Sequence, residues 1–317
     1  MSNSVVSNVV TQINQALDCQ LTNYLYDRTQ ECIKELHVDY FAEKSFMEFC
    51  CEHLGHVSIA AKILAYRYFN TDIFRKLYQS LVPLAENVYG AEDLVLHPIF
   101  YLRYTFPELP QTEQHRLAFL DSQPHFDRSY GIKAFTFWIA LVDIDDQTGG
   151  LCYFTDPKVV AEFSAGEKNR YNMDGYFENA VQVDSSLKPV AIQPHLKKGG
   201  VLTFDSNVLH GATKPKSKWR ISFDVRLIPK EELLRADPRV QRTINLFHRS
   251  PTLCNANNLL FLGDYKGAAR HFQSLSMELN NSALKYTAQT LSIKTPNPEI
   301  LKSGAKMQWR DEYCWVK

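Results

Sequence analysis

The sequence predicts a mainly β core with α flanks: a double-stranded β-helix of the jelly-roll, cupin-like kind, with N- and C-terminal helices packed around it. Three observations point there. Short β-branched and aromatic runs separated by glycine-bearing turns fill the middle of the chain, helical spacings mark both ends, and no repeat or low-complexity tract divides them. The expectation is one domain, with a helical flank over 1–92, a jelly-roll core over 93–230 and a helical region over 231–317.

Val5, Val9, Ile13 and Leu17 recur at a helical spacing, as do Phe46, Phe49, Cys50 and His53. Asn70-Thr71-Asp72 offers capping residues for a helix through Phe74, Leu77, Leu81 and Leu84. Polar residues share these helices, so they read as covers for another layer. From Leu94 the texture changes to strands and turns. Pro98 to Tyr104 is an aromatic run, and Ala134 to Leu141 is the strongest strand candidate. Asp145 to Gly150 is a turn by composition and leads into Leu151 to Phe154; Lys197 to Gly200 is another, before Val201 to Phe204. Arg220 to Leu227 alternates strictly, with Arg220, Ser222, Asp224 and Arg226 on one face and Ile221, Phe223, Val225 and Leu227 on the other. After Pro229 helices return, with Glu231 to Leu234 beginning one and Tyr265 to Leu291 carrying one or two more.

Composition narrows the function classes. The chain has 317 residues, 45% of them hydrophobic, and its 35 basic and 35 acidic residues cancel. That balance, without a basic stripe, gives no electrostatic footprint for nucleic acid. Since no apolar run is long enough to span a bilayer and Met1 to Ser4 lacks a signal-peptide pattern, the expectation is a cytoplasmic protein with no membrane partner. The 7 cysteines are scattered without zinc-ligand spacing and fit a reduced set. A small-molecule substrate is the default partner, and the helical flanks leave a homodimer open.

Chemistry concentrates in two segments. In Pro124-His125-Phe126-Asp127, one residue separates the imidazole from the carboxylate, so an extended backbone projects both to one side. His210, followed by Gly211 and Ala212, lies beyond the strand at Val201 to Phe204, where it could reach the same mouth. Two histidines and one carboxylate on one face of a metal leave the remaining positions open, an arrangement suited to non-haem Fe(II) and O2. The alternating strand adds an arginine. If helices cover its apolar face, its polar face lines the cavity, and a buried arginine needs an anionic partner. A dicarboxylic co-substrate would satisfy Arg220 through a bidentate pair, with Ser222 donating one further hydrogen bond. Asp224 and Arg226 are expected to pair with each other, leaving Arg226 as a secondary anion contact. Tyr101 and Arg103 share a face of the preceding strand, and Arg103 is a candidate for a substrate carboxylate or phosphate. Trp138 and Thr136 share a face of the next strand and are candidates to touch co-substrate or substrate, with plain barrel core the alternative for Trp138. His97, His115 and His195 are expected in solvated loops.

With these residues in view, the stretch from Leu94 to Pro229 resembles the phytanoyl-CoA dioxygenase-like branch of the Fe(II)/2-oxoglutarate oxygenases. The matching features are the His125-Phe126-Asp127 segment, the tryptophan-bearing strand Phe137 to Leu141, and the acidic turn at Asp146 to Gly150 before Leu151. Lys198-Gly199-Gly200, His210-Gly211 and Arg220 complete the set. Gly149 stands where that family has asparagine, and Thr155-Asp156-Pro157 where a Pro-Gly-Ser-His-like turn is common. The resemblance implies Fe(II) held by His125, Asp127 and His210, and 2-oxoglutarate held by Arg220 with Ser222 as helper. It further implies O2-dependent hydroxylation of a small polar metabolite or natural-product intermediate, with release of succinate and CO2. Asp127 argues against halogenation, where a small residue leaves room for halide. Two rivals are a cupin-type metalloenzyme that uses no 2-oxoglutarate and a non-catalytic metal- or ligand-sensing barrel.

Overall fold

A computed structural model describes residues 10–14, 16–40, 63–67, 69, 71–97, 100–105, 124–127, 132–167, 191–213, 215–236 and 238–294. Two antiparallel sheets form the centre. The larger comprises β1 (Val10–Ile13), β2 (Leu94–Leu96), β3 (Tyr101–Thr105), β4 (Phe135–Ala140), β7 (Val201–Asp205) and β9 (Arg220–Pro229), in the order β1-β7-β4-β9-β2. β3 also pairs with β9, beside its Arg220 to Asp224 half, while β2 takes the Leu227 to Pro229 half. The smaller sheet has the order β6-β5-β8, built from β5 (Leu151–Phe154), β6 (Ala191–Ile192) and β8 (His210–Ala212). From β4 onward the chain therefore passes from large sheet to small, back to β7, across to β8 and home to β9.

Alternation along β9 decides what each face meets. Ile221, Phe223, Val225 and Leu227 join Phe135, Phe137 and Ile139 of β4 and Leu102 of β3 in the main core cluster. Helical residues close that cluster from outside: Leu25 of α1 (Cys19–Tyr40), Ile73, Leu77 and Leu81 of α2 (Thr71–Tyr89), and others from the C-terminal region. Phe69 stacks on Phe100 at 3.7 Å between ring centroids, and Tyr89 at the end of α2 stacks on Phe135 at 4.0 Å. The opposite face of the large sheet turns towards the small one. Trp138 and Ala140 of β4, Leu202 and Phe204 of β7 and Leu151 of β5 form a second buried cluster there. Two layers of apolar contact, each fed by every other residue, hold the sheet between helices and strands.

A short helix α3 (Pro157–Glu167) follows β5, and after β9 come α4 (Lys230–Arg235), α5 (Pro238–Arg249), α6 (Pro251–Phe261), α7 (Tyr265–Glu278) and α8 (Ser282–Ser292). Their starts are chemically marked. The Ser250 side chain accepts from the Leu253 amide with Pro251 in the first turn, Asp264 caps α7 through the Gly267 amide, and Asn281 caps α8 through the Leu284 amide. Asp264 is also gripped by Arg67, Nε to Oδ2 at 2.5 Å and Nη2 to Oδ1 at 2.7 Å, which pins the 63–67 helical turn to α7.

Two expectations need correction. The segment around Ile13 is a strand, with Val10 opposite Phe204 and Ile13 opposite Val201. A spacing of four is a multiple of the strand period as well as one helical turn, so the pattern alone could not decide, and pairing with β7 did. His97 is not a solvated loop histidine: it is 1% exposed, and its backbone amide donates to the Arg226 carbonyl at 2.8 Å. After α4, α5 and α6 follow directly. The helix expected at Phe46 to His53, and His115, lie outside the described residues. Among the described residues, no helix is long and apolar enough to cross a membrane. Gly149 adopts φ +60°, a left-handed conformation open to glycine and asparagine alike, so glycine at this turn preserves the backbone asparagine would take.

Candidate active site

Residue 125 reaches the site by joining the small sheet. The His125 amide donates to the His210 carbonyl at 2.8 Å and the His210 amide returns the bond at 3.0 Å, which places the two histidines directly opposite one another. Their rings sit 4.3 Å apart between centroids, and Phe204 packs on His210 at 4.5 Å. Asp127, two residues on, brings its carboxylate to the same point. The nitrogen and oxygen donors of His125, Asp127 and His210 all lie within 4.8 Å of one another. Asp127 Oδ1 is 3.9 Å from His125 Nε2, and Oδ2 is 3.9 Å from His210 Nε2.

Electrostatics prepares these groups for a cation. His210 Nδ1 donates to the Val208 carbonyl at 3.0 Å, which leaves the Nε2 lone pair directed at the carboxylate side. Burial, then the neighbouring His125, push the His210 imidazolium down to about 3, so the ring is neutral at physiological pH. Burial alone would raise the Asp127 carboxyl, but the Arg226 charge, first among the groups around it, and the Arg226 hydrogen bond hold it well below the usual carboxylate range. A neutral imidazole and an ionised carboxylate are the forms that ligate metal.

The inner face of the large sheet carries the other expected residues in one cross-strand pattern. Tyr101, Asp224 and Trp138 are neighbours across β3, β9 and β4; Arg103, Ser222 and Ala140 form the next row, and Arg226 and Thr136 another. The structure corrects the expected Asp224–Arg226 pair. Arg103 Nε takes Asp224 Oδ2 at 3.0 Å, and Arg226 Nη2 takes Asp127 Oδ1 at 2.7 Å. Tyr101 lies beneath both guanidiniums, 5.2 Å from Arg103 and 4.9 Å from Arg226. Trp138 is 4% exposed and packs in the inter-sheet cluster.

Arg220 differs from the other two arginines. It is 5% exposed, yet among the described residues no carboxylate lies within ion-pair distance of it. Its Nη1 donates to the Thr213 carbonyl at 2.8 Å and its Nη2 to Thr105 Oγ1 at 3.1 Å, both neutral acceptors. Nε has no hydrogen-bond partner among the described residues, and neither do Ser222 Oγ and Asp224 Oδ1 further along the same face. Burial and the nearby Arg103 push the Arg220 guanidinium down to about 10, still charged at neutral pH. Buried polar atoms are normally satisfied, so a run of three without partners beside the candidate triad marks a place for a ligand or solvent.

Sequence reasoning named Thr136 as a ligand contact but missed its bond to Asp127 Oδ2 at 2.9 Å, and it missed the threonines that hold Arg220. Strand alternation placed Thr136 on the inner face; its partner depends on a register that no local pattern reveals.

No protein-family model matches this sequence, and no curated protein matches it. Solved structures with a similar course of chain include SnoK, a non-haem α-ketoglutarate-dependent carbocyclase from nogalamycin biosynthesis, at 14% identity and a TM-score of 0.43 over 72% of this chain and 84% of that one. The α-ketoglutarate-dependent epimerase SnoN of the same biosynthesis matches at 14% identity and a TM-score of 0.40, over 70% of this chain and 78% of its own. AviO1 from Streptomyces viridochromogenes matches at 14% identity and a TM-score of 0.41, over 73% and 90%.

Proposed function

We propose that this protein is an Fe(II)- and 2-oxoglutarate-dependent oxygenase, built on a double-stranded β-helix, that hydroxylates a C–H bond of a small polar substrate and releases succinate and CO2. The observation that carries the proposal is Arg220: a buried cation with no carboxylate partner among the described residues, on the same inner face that delivers Arg226 to the His125–Asp127–His210 triad. Burying an uncompensated charge costs several kcal/mol, a cost that an anionic ligand removes.

The residues present fit both groups. The triad offers two imidazole nitrogens and one carboxylate, a donor set that suits Fe(II) with positions left open. Arg220 has five N–H donors, only two of which meet the acceptors described, and Nε is free to join a fork onto a carboxylate. Ser222 Oγ, two residues along, supplies a further donor. Iron held by His125, Asp127 and His210, with 2-oxoglutarate held by Arg220, would supply the oxidising power for O2 chemistry.

The chain's own part is positional. Val208 fixes the His210 tautomer, and Thr136 and Arg226 fix the Asp127 carboxylate. Arg220 and Ser222 orient the far carboxylate of the co-substrate, and Trp138, Leu202 and Phe204 exclude water from the wall behind the triad. The Arg103–Asp224 pair, with Arg103 the more exposed partner, stands where a polar substrate group would be met.

The test is succinate formation from 2-oxoglutarate in air, with and without Fe(II), for the parent and Arg220→Ala. Iron-dependent succinate that disappears in the variant supports the proposal. No succinate, together with no binding of 2-oxoglutarate to the anaerobic iron form, overturns it and favours a cupin-type enzyme or a sensor.

A further inference from the structure

Arg226 is the inner-face arginine that touches a residue of the candidate metal triad. Its Nη2 donates to Asp127 Oδ1 at 2.7 Å, and Thr136, its partner across the β4–β9 pair, donates to Oδ2 at 2.9 Å. A separate donor thus holds each carboxylate oxygen. Both donors come from adjacent strands of the large sheet, while Asp127 hangs from the segment bridged to the small one. Arg226 is 5% exposed and Thr136 2%, and the Tyr101 ring lies 4.9 Å from the guanidinium, so neither donor has solvent to swing into. A carboxylate that rotates freely can chelate an ion through both oxygens. One whose oxygens are tied to two fixed donors is held in a single orientation, with part of its lone-pair capacity already used.

We propose that Arg226, acting with Thr136, is a positioning residue that restricts Asp127 to ligation through one oxygen. The triad then gives an ion three donor atoms and leaves one more position for co-substrate, substrate or solvent than a chelating aspartate would. Arg226 is thereby assigned to the carboxylate rather than to a substrate anion. The inference rests on the metal-site reading above and extends it to two residues that do not themselves ligate.

Mn(II) is a suitable probe, because broadening of its EPR lines in 17O-enriched water reports how many water molecules it carries. The measurement is made without co-substrate on the parent, Arg226→Met, Arg226→Lys and Thr136→Val. In Arg226→Met the freed oxygen chelates, and the ion carries one fewer water than in the parent. Arg226→Lys retains a charged donor and keeps the parental number. Thr136→Val frees the other oxygen and also loses one water, which keeps the test alive should Arg226→Met fail to fold. Equal water numbers in the parent and in the folded variants overturn the proposal and leave Arg226 as a counter-charge only. A parent that binds no Mn(II), seen as an undiminished free-ion signal, overturns the metal-site reading itself and the proposal with it.

Discussion

Replacing Arg220 with methionine should move two quantities in opposite directions. Burial and Arg103 push the guanidinium down to about 10. A displacement of that size corresponds to roughly 3 kcal/mol of disfavoured charge in the ligand-free protein. Methionine removes that cost and fills much of the same volume. Against it stands the loss of the bonds to Thr213 and Thr105, about 1 kcal/mol each. The balance is a gain of about 1 kcal/mol, or roughly 2 °C in melting temperature for a chain of this size. The parent should respond to ligand in the other sense. In the Mn(II) form, 2-oxoglutarate at about 100 times its dissociation constant stabilises by about 2.7 kcal/mol, roughly 5 °C, and the variant should lose that increment. Differential scanning calorimetry with and without the ligand measures both. A ligand-free variant that melts more than about 4 °C below the parent would show that the fold already satisfies Arg220. A variant that keeps the 2-oxoglutarate shift would remove Arg220 from the anion site.

Asp127→Ala should cost about 3–5 kcal/mol of stability, because it strands the buried Arg226 charge. The double variant Asp127→Ala/Arg226→Met should recover most of it in urea unfolding, without recovering Mn(II) binding. Gly267→Ala should destabilise despite the better helix propensity of alanine: an added Cβ would lie 2.3 Å from Asp264 Oδ2, and the Arg67 fork prevents that carboxylate from retreating. A loss of at least about 2 kcal/mol in the same assay is expected, and a neutral result would show that the cap can move. Acid should weaken the metal-free protein. Burial lowers His210, His248 and His271 below their ordinary 6.5, so the fold keeps them neutral while the unfolded chain protonates them. Their contribution is complete above about pH 6.5 and is lost as pH falls from there towards the folded values, at up to about 1.4 kcal/mol per pH unit for each histidine. His271→Gln, which can still donate to the Tyr66 carbonyl, should flatten that slope between pH 6.5 and 5.

What could be read from the chain alone was whatever a short period encodes. The two faces of β9 were legible because polar and apolar residues alternate from Arg220 to Leu227, and so was the gathering of His125 with Asp127, because one intervening residue returns an extended segment to the same side. Register was not legible. Arg226 sits two residues from Asp224, but its carboxylate partner comes from a segment 99 positions away, and Asp224 is taken by Arg103 from 121 positions away. The strand at Val10 to Ile13 was hidden for the same reason, since its assignment depends on a partner near residue 200. The helices at Pro238 and Pro251 were a different case. Each opens on a proline, and the second follows a capping serine, so the signal was present and was passed over.

β9 has neighbours on both sides, packs Ile221, Phe223, Val225 and Leu227 into the core and turns Arg220, Ser222, Asp224 and Arg226 towards the site. Fold and chemistry are thus written on one strand in two interleaved alphabets. A single inserted residue would exchange them and ruin both at once. Substitutions at 220, 222, 224 and 226 leave the apolar letters untouched. A library randomised at 220 and 222, which keeps the Arg103–Asp224 and Asp127–Arg226 pairs, should consequently retain many folded members, and it offers a direct way to vary the chemistry of the site-facing side without rebuilding what holds it.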